Sequence, residues 1–346
     1  MRLVEACETK FNRHESFAPR YGWAKKAYDS CAEKHDQFTT DQAINDLTVE
    51  LGIGKSMVKS LRHWGVAFRI FTQIKTNNSE HAYPTSIGST FFHDTLGWDP
   101  YCEHVDTLWL LHWWLLAPKS HVPVWWTAFS EFPGLEFTSE ELEQWVADQT
   151  ASLNKKVPPA SIKKDVNLLL RMYSSGQRQR DTYDDQIDSP FRELDLIRPS
   201  ERDQTQFRFL IGPKAGLAPE IVLFSCIDFL LRARSNDQKT EKTVTISSLT
   251  KEAGSPGKVF NLTEPALFSL LETCAKNNKD LLDLTEANGV AQLVFKDDLS
   301  VIAEEILRAH YSTITGRQCR KIGKAPLVGS EADSPAYPPK ARSKAA

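Results

Sequence analysis

The sequence predicts a mostly helical protein with small β wings, organised as tandem winged helix-turn-helix units. Three observations near the start of the chain point there. Apolar residues recur at helical spacing over Asp41 to Leu51 (Ala43, Ile44, Leu47, Leu51), with Asp41 expected as the N-cap. Gly52-Ile53-Gly54 interrupts the period, and a second helix is expected from Lys55 to about Phe71, burying Met57, Val58, Leu61, Ala67 and Phe68. Thr72 to Lys75 and Ala82 to Thr85 flank the polar turn Thr76-Asn77-Asn78-Ser79-Glu80 and read as two short strands of a wing.

Later segments repeat this organisation. Thr138-Ser139-Glu140-Glu141 is a capping box, which opens a helix through about Thr150, and Ser161 to Tyr173 supplies another helix after Pro158-Pro159. Val244 to Glu252 leads into Leu262-Thr263-Glu264-Pro265, where Thr263 caps a helix to about Lys276 and Pro265 sits in its first turn. Leu281 to Leu284 and Gly289 to Phe295 read as a strand pair.

All nine tryptophans fall within the first 145 residues, so a boundary is placed between Gln149 and Pro159. It divides a Trp-rich N-terminal winged-helix domain that binds DNA (1–150) from a helical and winged-helix domain (151–316). The stretches Gln177 to Asp185 and Arg232 to Thr243 are polar punctuation in the second half. From Arg317 onward Lys, Arg, Pro, Gly and Ser dominate with few large apolar residues, and 317–346 is expected to be a disordered basic tail.

With 346 residues, 41% of them hydrophobic and 25% charged, the chain can build the cores of two or three domains. A formal net charge of −3 excludes a uniformly basic coat, so any nucleic-acid footprint must be local. The six cysteines form no Cys-x-x-Cys pair, which argues against a zinc ribbon or a disulfide framework and for a reducing cytoplasm. Met1 to Glu8 lacks an apolar signal core. Leu108 to Ala117 is an apolar run broken by His112, too short to span a bilayer, and is expected as a buried helix; no membrane partner is implied.

The densest chemistry lies in Phe11 to Lys26. His14 beside Glu15 places a base that titrates near neutrality next to a carboxylate that can orient it or bind a divalent ion, Mg or Mn, with His14 as a second ligand. Arg20 suits a clamp on the extra charge of a pentavalent phosphorane, while Arg13, Lys25 and Lys26 suit a phosphate backbone. A His-Glu-x-x-His zinc site is excluded, because the position needing the second histidine is Ala18. A plainer account is structural: Arg13, Glu15 and Arg20 in ion pairs, with Phe17, Tyr21 and Trp23 packed on neighbouring helices.

On the expected recognition helix, Lys55, Ser56, Lys59, Arg62 and His63 occupy the faces left free by Met57, Val58 and Leu61, and no acidic residue occurs between Lys55 and Lys75. This face suits double-stranded DNA, although a cationic helix face is often merely solvated. Gly54-Lys55-Ser56 is not a nucleotide-binding loop, since Val49 stands where its first glycine is required and a helix precedes it; no nucleotide cofactor is expected. The carboxylates of Asp181 to Leu194 read as a solvated linker, Asp99-Pro100 as an N-cap followed by proline at N1, and His112 as a satisfied core histidine.

Arg13-His14-Glu15-Ser16-Phe17, Pro19-Arg20-Tyr21-Gly22-Trp23, Lys25-Lys26 and Leu51-Gly52-Ile53-Gly54-Lys55-Ser56-Met57-Val58 resemble a phosphorothioation-linked family that includes the B component of single-strand (Ssp) DNA phosphorothioation systems. Asp188 to Leu194 and Ser255 to Phe260 are similar to the same family more weakly, and the resemblance spans Phe11 to Tyr311. It implies a bacterial DNA-modification and anti-phage defence setting in which the B component nicks DNA. The implied partners are a cysteine desulfurase, an ATPase and an ATP pyrophosphatase-type enzyme; a homodimer is a further expected assembly. No catalytic motif is carried over from the family. A strand-nicking endonuclease, a non-catalytic DNA-binding adaptor and a protein-only scaffold are therefore the three readings open at this point.

Overall fold

The computed structural model describes residues 3–76, 79–151, 156–174, 189–201, 203, 205–233, 242–287 and 289–337. After a short helix α1 (Leu3–Ala6), three helices, α2 (Trp23–Ala32), α3 (Asp41–Leu51) and α4 (Lys55–Ala67), run into an antiparallel hairpin of β1 (Phe71–Thr76) and β2 (Ser79–Pro84). The cap of α3 is Thr40 rather than Asp41: its hydroxyl accepts from Ala43 N–H at 3.1 Å, and Asp41 sits inside the first turn, where a carboxylate favours the helix dipole. Gly52 closes α3 at φ 65°, a left-handed conformation that glycine adopts without strain.

Helices α5 (Ser86–Phe92), α6 (Val105–Leu116) and α7 (Pro123–Ser130) follow. The run expected as a buried helix is α6, nearly all of whose residues are buried. Asp99 does not start that helix; its carboxylate accepts from Glu103 and His104 N–H at 2.8 and 3.1 Å, holding the turn before it.

A helix–strand–helices–hairpin order then occurs twice, with two helices between strand and hairpin in the first case and three in the second. The first is α7, β3 (Glu136–Thr138), α8 (Ser139–Thr150), α9 (Pro159–Tyr173), β4 (Ile197–Pro199) and β5 (Gln206–Phe209), with sheet order β3-β5-β4. The second is α10 (Pro219–Arg232), β6 (Thr243–Thr245), α11 (Ile246–Lys251), α12 (Pro256–Val259), α13 (Glu264–Asn277), β7 (Leu282–Ala287) and β8 (Val290–Phe295), with order β6-β8-β7. Both expected caps are present: Thr138 and Glu141 form the reciprocal capping box, and Thr263 Oγ1 accepts from Ala266 N–H with Pro265 in the first turn. The Asp181 to Leu194 linker lies mostly outside the described residues, as does most of Arg232 to Thr243.

The buried core is continuous across residue 150. Trp113 Nε1 donates to Asp228 at 2.7 Å, and His112 Nε2 reaches the carbonyl of Val259 at 2.9 Å. Since a carbonyl only accepts, Nε2 carries the proton of His112 and Nδ1 accepts from Tyr173 Oη at 2.7 Å, making it the satisfied core histidine expected. Burial pushes the His112 pKa down to about 4. The unfolded chain then takes up a proton near pH 6.5 that the folded chain refuses, so stability is lost as pH falls, by about 3 kcal/mol at pH 4. Urea midpoints measured at pH 7 and pH 4.5 should fall less for His112→Gln than for the parent, by the equivalent of about 2 kcal/mol; equal falls would refute this account.

After α14 (Leu299–Thr315), the chain corrects one expectation. Residues Arg317 to Tyr337 are not a disordered tail but a strap across the fold, ending in a short 3₁₀ turn (Ser330–Asp333). Composition misleads because a handful of its apolar side chains, Cys319, Leu327, Val328, Ala332 and Ala336, are buried. Backbone bonds hold the strap as well: Trp98 Nε1 donates to Arg320 O at 2.9 Å, and Ala336 N–H to Pro84 O at 2.8 Å. No helix among the described residues is long and apolar enough to cross a membrane.

Candidate functional site

His14 stands where several elements meet. Its imidazole is 1% exposed and its ring centroid lies 6.0 to 6.5 Å from those of Trp125 on α7 and of His63 and Trp64 on α4. Its partner is not Glu15 but Asp165 on α9, at 2.6 Å from Nε2. The backbone N–H of Ser16 donates to Nδ1 at 3.0 Å, so Nδ1 is the acceptor and Nε2–H donates to Asp165. Both ring nitrogens are engaged. Asp165 also accepts from Asn12 N–H at 2.9 Å; burial pushes its carboxyl above the usual range despite these donors.

The loop reaches this geometry through left-handed backbone at Asn12 (φ 52°), Glu15 (φ 49°) and Ser16 (φ 64°), conformations that L-residues adopt at a cost. It is sewn to α4 by Ser60 Oγ and Trp64 Nε1, which donate to Phe17 O at 3.2 and 2.9 Å. Glu15 points its side chain to solvent, Arg13 is exposed, and Arg20 is half-buried.

Lys25 and Lys26 are tied into the fold. Lys25 is 7% exposed between Asp29 and Asp94, its ammonium 2.8 Å from Asp94; burial pushes its pKa down, but the two carboxylates outweigh this and raise it. Lys26 Nζ donates to Leu51 O at 2.8 Å, capping the C-terminal end of α3. On α4, Arg62 pairs with Glu80 of the hairpin, and Lys55 lies 3.4 Å from Asp41 in an exposed ion pair. Such a pair is worth little and leaves Lys55 available. Ser56 and Lys59 are exposed on the same face.

A second group gathers beside His14 that sequence spacing does not reveal. Glu8 lies 2.6 Å from the Lys10 ammonium and 3.3 Å from His121 Nδ1; His121 first, with Lys10 behind it, holds its carboxyl at about 2. His63, on α4, is pushed well below its usual range by burial and then by the charges of His14, His121, Lys10 and Arg13, so it is neutral at pH 7. His63 was legible as a surface residue of the cationic helix. Its company was not, because residues 8–14, 63, 121 and 165 meet only in the fold. Among the described residues no three His, Cys, Asp or Glu side chains converge in a way that could hold a metal ion. His14 and Glu15 do not fit as a metal pair in this arrangement, since a metal on His14 would have to displace Ser16 N–H or Asp165.

These features define a mostly helical protein whose repeated helix-and-hairpin units surround a buried histidine–carboxylate pair beside a cationic helix face. Residues 11–311 match the model of a family described as "Protein of unknown function (DUF4007)". The chain belongs to that family. Two solved structures, "Magnesium ion-bound SspB crystal structure" and "SspB crystal structure", are each 33% identical to it with a TM-score of 0.82. The match covers 91% and 92% of this chain, respectively, and 92% of each SspB chain. The resemblance to the family of the Ssp B component, read from the motifs around His14 and Lys55, is thus borne out. No curated protein matches the chain.

Proposed function

We propose that this protein is a DNA-binding, strand-nicking endonuclease acting in Ssp-type DNA phosphorothioate modification and anti-phage defence, built from winged-helix units. The observation that supports it most is the likeness to SspB over more than nine-tenths of both chains. The winged-helix reading is supported by the helix–strand–helices–hairpin order with the first strand beside the last, which recurs in both units with three-stranded sheets. In the N-terminal segment before those two units, α3, α4 and the β1–β2 hairpin form a simpler version with a two-stranded sheet, in which α4 takes the recognition position and turns Lys55, Ser56 and Lys59 outward, where they reach phosphates of a duplex.

Arg13 and Lys10 add positive charge beside His63, which is neutral and carries a lone pair. Both ring nitrogens of His14 are engaged, whereas His63 makes no hydrogen bond among the described residues, so His63 is the histidine proposed to accept a proton from an attacking water. Glu15 remains proposed as the neighbouring carboxylate that orients the base or holds the divalent ion, and Arg20 as the clamp on a phosphate. The expected cofactor is Mg²⁺ or Mn²⁺, in keeping with a magnesium-bound SspB. Cysteine desulfurase, ATPase and ATP pyrophosphatase-type proteins are the proposed partners.

The test is conversion of supercoiled plasmid to open circle in Mg²⁺, Mn²⁺ or EDTA. The parent should nick in a divalent ion and not in EDTA. His63→Ala should slow nicking about a hundredfold or more if His63 is the base, and Lys55→Ala/Lys59→Ala should weaken duplex binding. Salt-dependent duplex binding without nicking in any ion would instead establish a non-catalytic adaptor that recruits the modification enzymes. That second reading has one observation in its favour: both ring nitrogens of His14 are already engaged inside the protein.

A further inference from the structure

The β3–β5–β4 sheet carries an unusual row of charge. Arg208, on the central strand, lies opposite Arg198 on β4 and opposite Glu136 on β3, so all three project from one face. Like charges directly opposite in an antiparallel pair repel. Arg198 is held by Asp195, with Nε 2.6 Å from Oδ1 and a second, parallel bond from its other nitrogen. Arg208 is exposed and makes no hydrogen bond or ion pair among the described residues, although Glu136 stands opposite it.

The two arginines border a cleft of about 630 Å³ that Glu136, Glu201, Gln206 and Leu210 also line. Behind it Lys214 donates to Leu210 O. Burial pushes the Lys214 amine down to about 8; Asp195 opposes this and Arg198 adds to it, so a third cation adjoins the same region. At the ends of the sheet Leu135 and Ile211 are half-exposed.

An arginine fork matches a phosphate in a two-point geometry, and one arginine already braced by a carboxylate is pre-organised for it. An anion set between Arg198 and Arg208 would also relieve their repulsion. The carboxylates and Gln206 offer acceptors to base amino groups, and Leu135 and Ile211 offer apolar contact to a sugar or base. This mixture suits a nucleic-acid strand better than a bare anion. The hairpin of β4 and β5 follows α9 as the hairpin of β1 and β2 follows α4, which is the place of a wing beside a recognition helix.

We propose that this cleft is a second DNA-backbone site, in which Arg208 and Arg198 grip one phosphate of a strand bound elsewhere along α4. The inference rests on the DNA-binding reading above and extends it to a surface on the other side of residue 150.

Duplex binding by the full chain, followed by fluorescence anisotropy across a NaCl series, tests it. Arg208→Ala should lower the slope of log K against log salt by about 0.9 and weaken binding about eightfold at 0.1 M salt, the factor that slope gives at an unchanged 1 M intercept. Arg208→Lys, which keeps the charge, should restore most of the slope. If Arg208→Ala matches the parent while Lys55→Ala/Lys59→Ala loses slope, this site is refuted and the DNA-binding reading stands. If the parent itself binds no duplex at low salt, both fail. Thermal stabilisation by inorganic phosphate that Arg208→Ala abolishes, with the DNA slope unchanged, would overturn the strand assignment in favour of a small-anion site.

Discussion

Asp228→Ala is expected to destabilise the protein by about 3–5 kcal/mol, read as a fall in urea midpoint at unchanged m-value. Asp228 is fully buried and accepts four times: from Arg232 Nε on both oxygens at 2.9 Å, from Trp113 Nε1 at 2.7 Å and from Gly329 N–H at 2.6 Å. Arg232 continues to Asp333, and Asp333 to Arg69, whose remaining donors reach the carbonyls of Trp114, Ala117 and Pro118 at 2.9 to 3.0 Å. Two carboxylates thus balance two guanidiniums in one chain that is buried except at Asp333, which is partly exposed. Removing one carboxylate leaves Arg232 with an uncompensated share of charge and orphans two donors, which is the costly way to alter a buried pair.

The same chain explains why the strap from Arg317 to Tyr337 is ordered. Asp333 on the strap is its link to α10 and to the connector after α4. Burial pushes the Asp333 carboxyl up, but Arg69 and Arg232 outweigh this and hold it below the usual carboxylate range. The folded carboxyl releases its proton more readily than the unfolded one, so its contribution is present above about pH 4 and is lost as pH falls further. A strap that detaches in acid while α10 stays protected in hydrogen exchange is the expected sign. Strap and α10 exchanging together at every pH would contradict it.

The second large effect concerns His14. Asp165→Ala should cost about 2–4 kcal/mol, because it strands a buried Nε2–H and the N–H of Asn12, two donors at roughly 1–3 kcal/mol each with partial relaxation. Asp165→Asn keeps an oxygen for both donors and should fold close to parental stability. This pair of variants separates two roles. If His14 only braces the loop, Asp165→Asn should nick plasmid within about threefold of the parent. If the pair is catalytic, changing the carboxylate to an amide should slow nicking by about 10²-fold or more without loss of fold.

Local rules reached part of this molecule unaided. The break at Gly52 to Gly54, the capping box at Thr138 and the Thr263-Pro265 start of α13 depend on contacts within four residues, and they stand where spacing placed them, as does the buried helix around His112. The cationic face of α4 was likewise legible, since helical period decides which side chains turn outward. Other inferences from neighbouring residues did not survive folding. His14 and Glu15 are adjacent in sequence, yet the left-handed turn at Glu15 separates their side chains, and His14 pairs with Asp165 instead. Lys25 and Lys26 read as phosphate ligands, but the fold gives them protein acceptors, Asp29 and Asp94 for Lys25 and the carbonyl of Leu51 for Lys26.

What the residues alone determined is therefore the class of fold, most of its helix starts and stops, and one cationic helix face, because each follows from periodicity or a nearby hydrogen bond. Tertiary structure decided the rest: the partner of His14, the neutral His63, the opposed arginines of the β3–β5–β4 sheet and the order of the C-terminal strap. Those depend on groups from 10 to more than 250 positions apart: strand pairing sets the exposed arginines opposite each other, and for the rest burial, which removes competing water, makes the pairs strong enough to choose one arrangement.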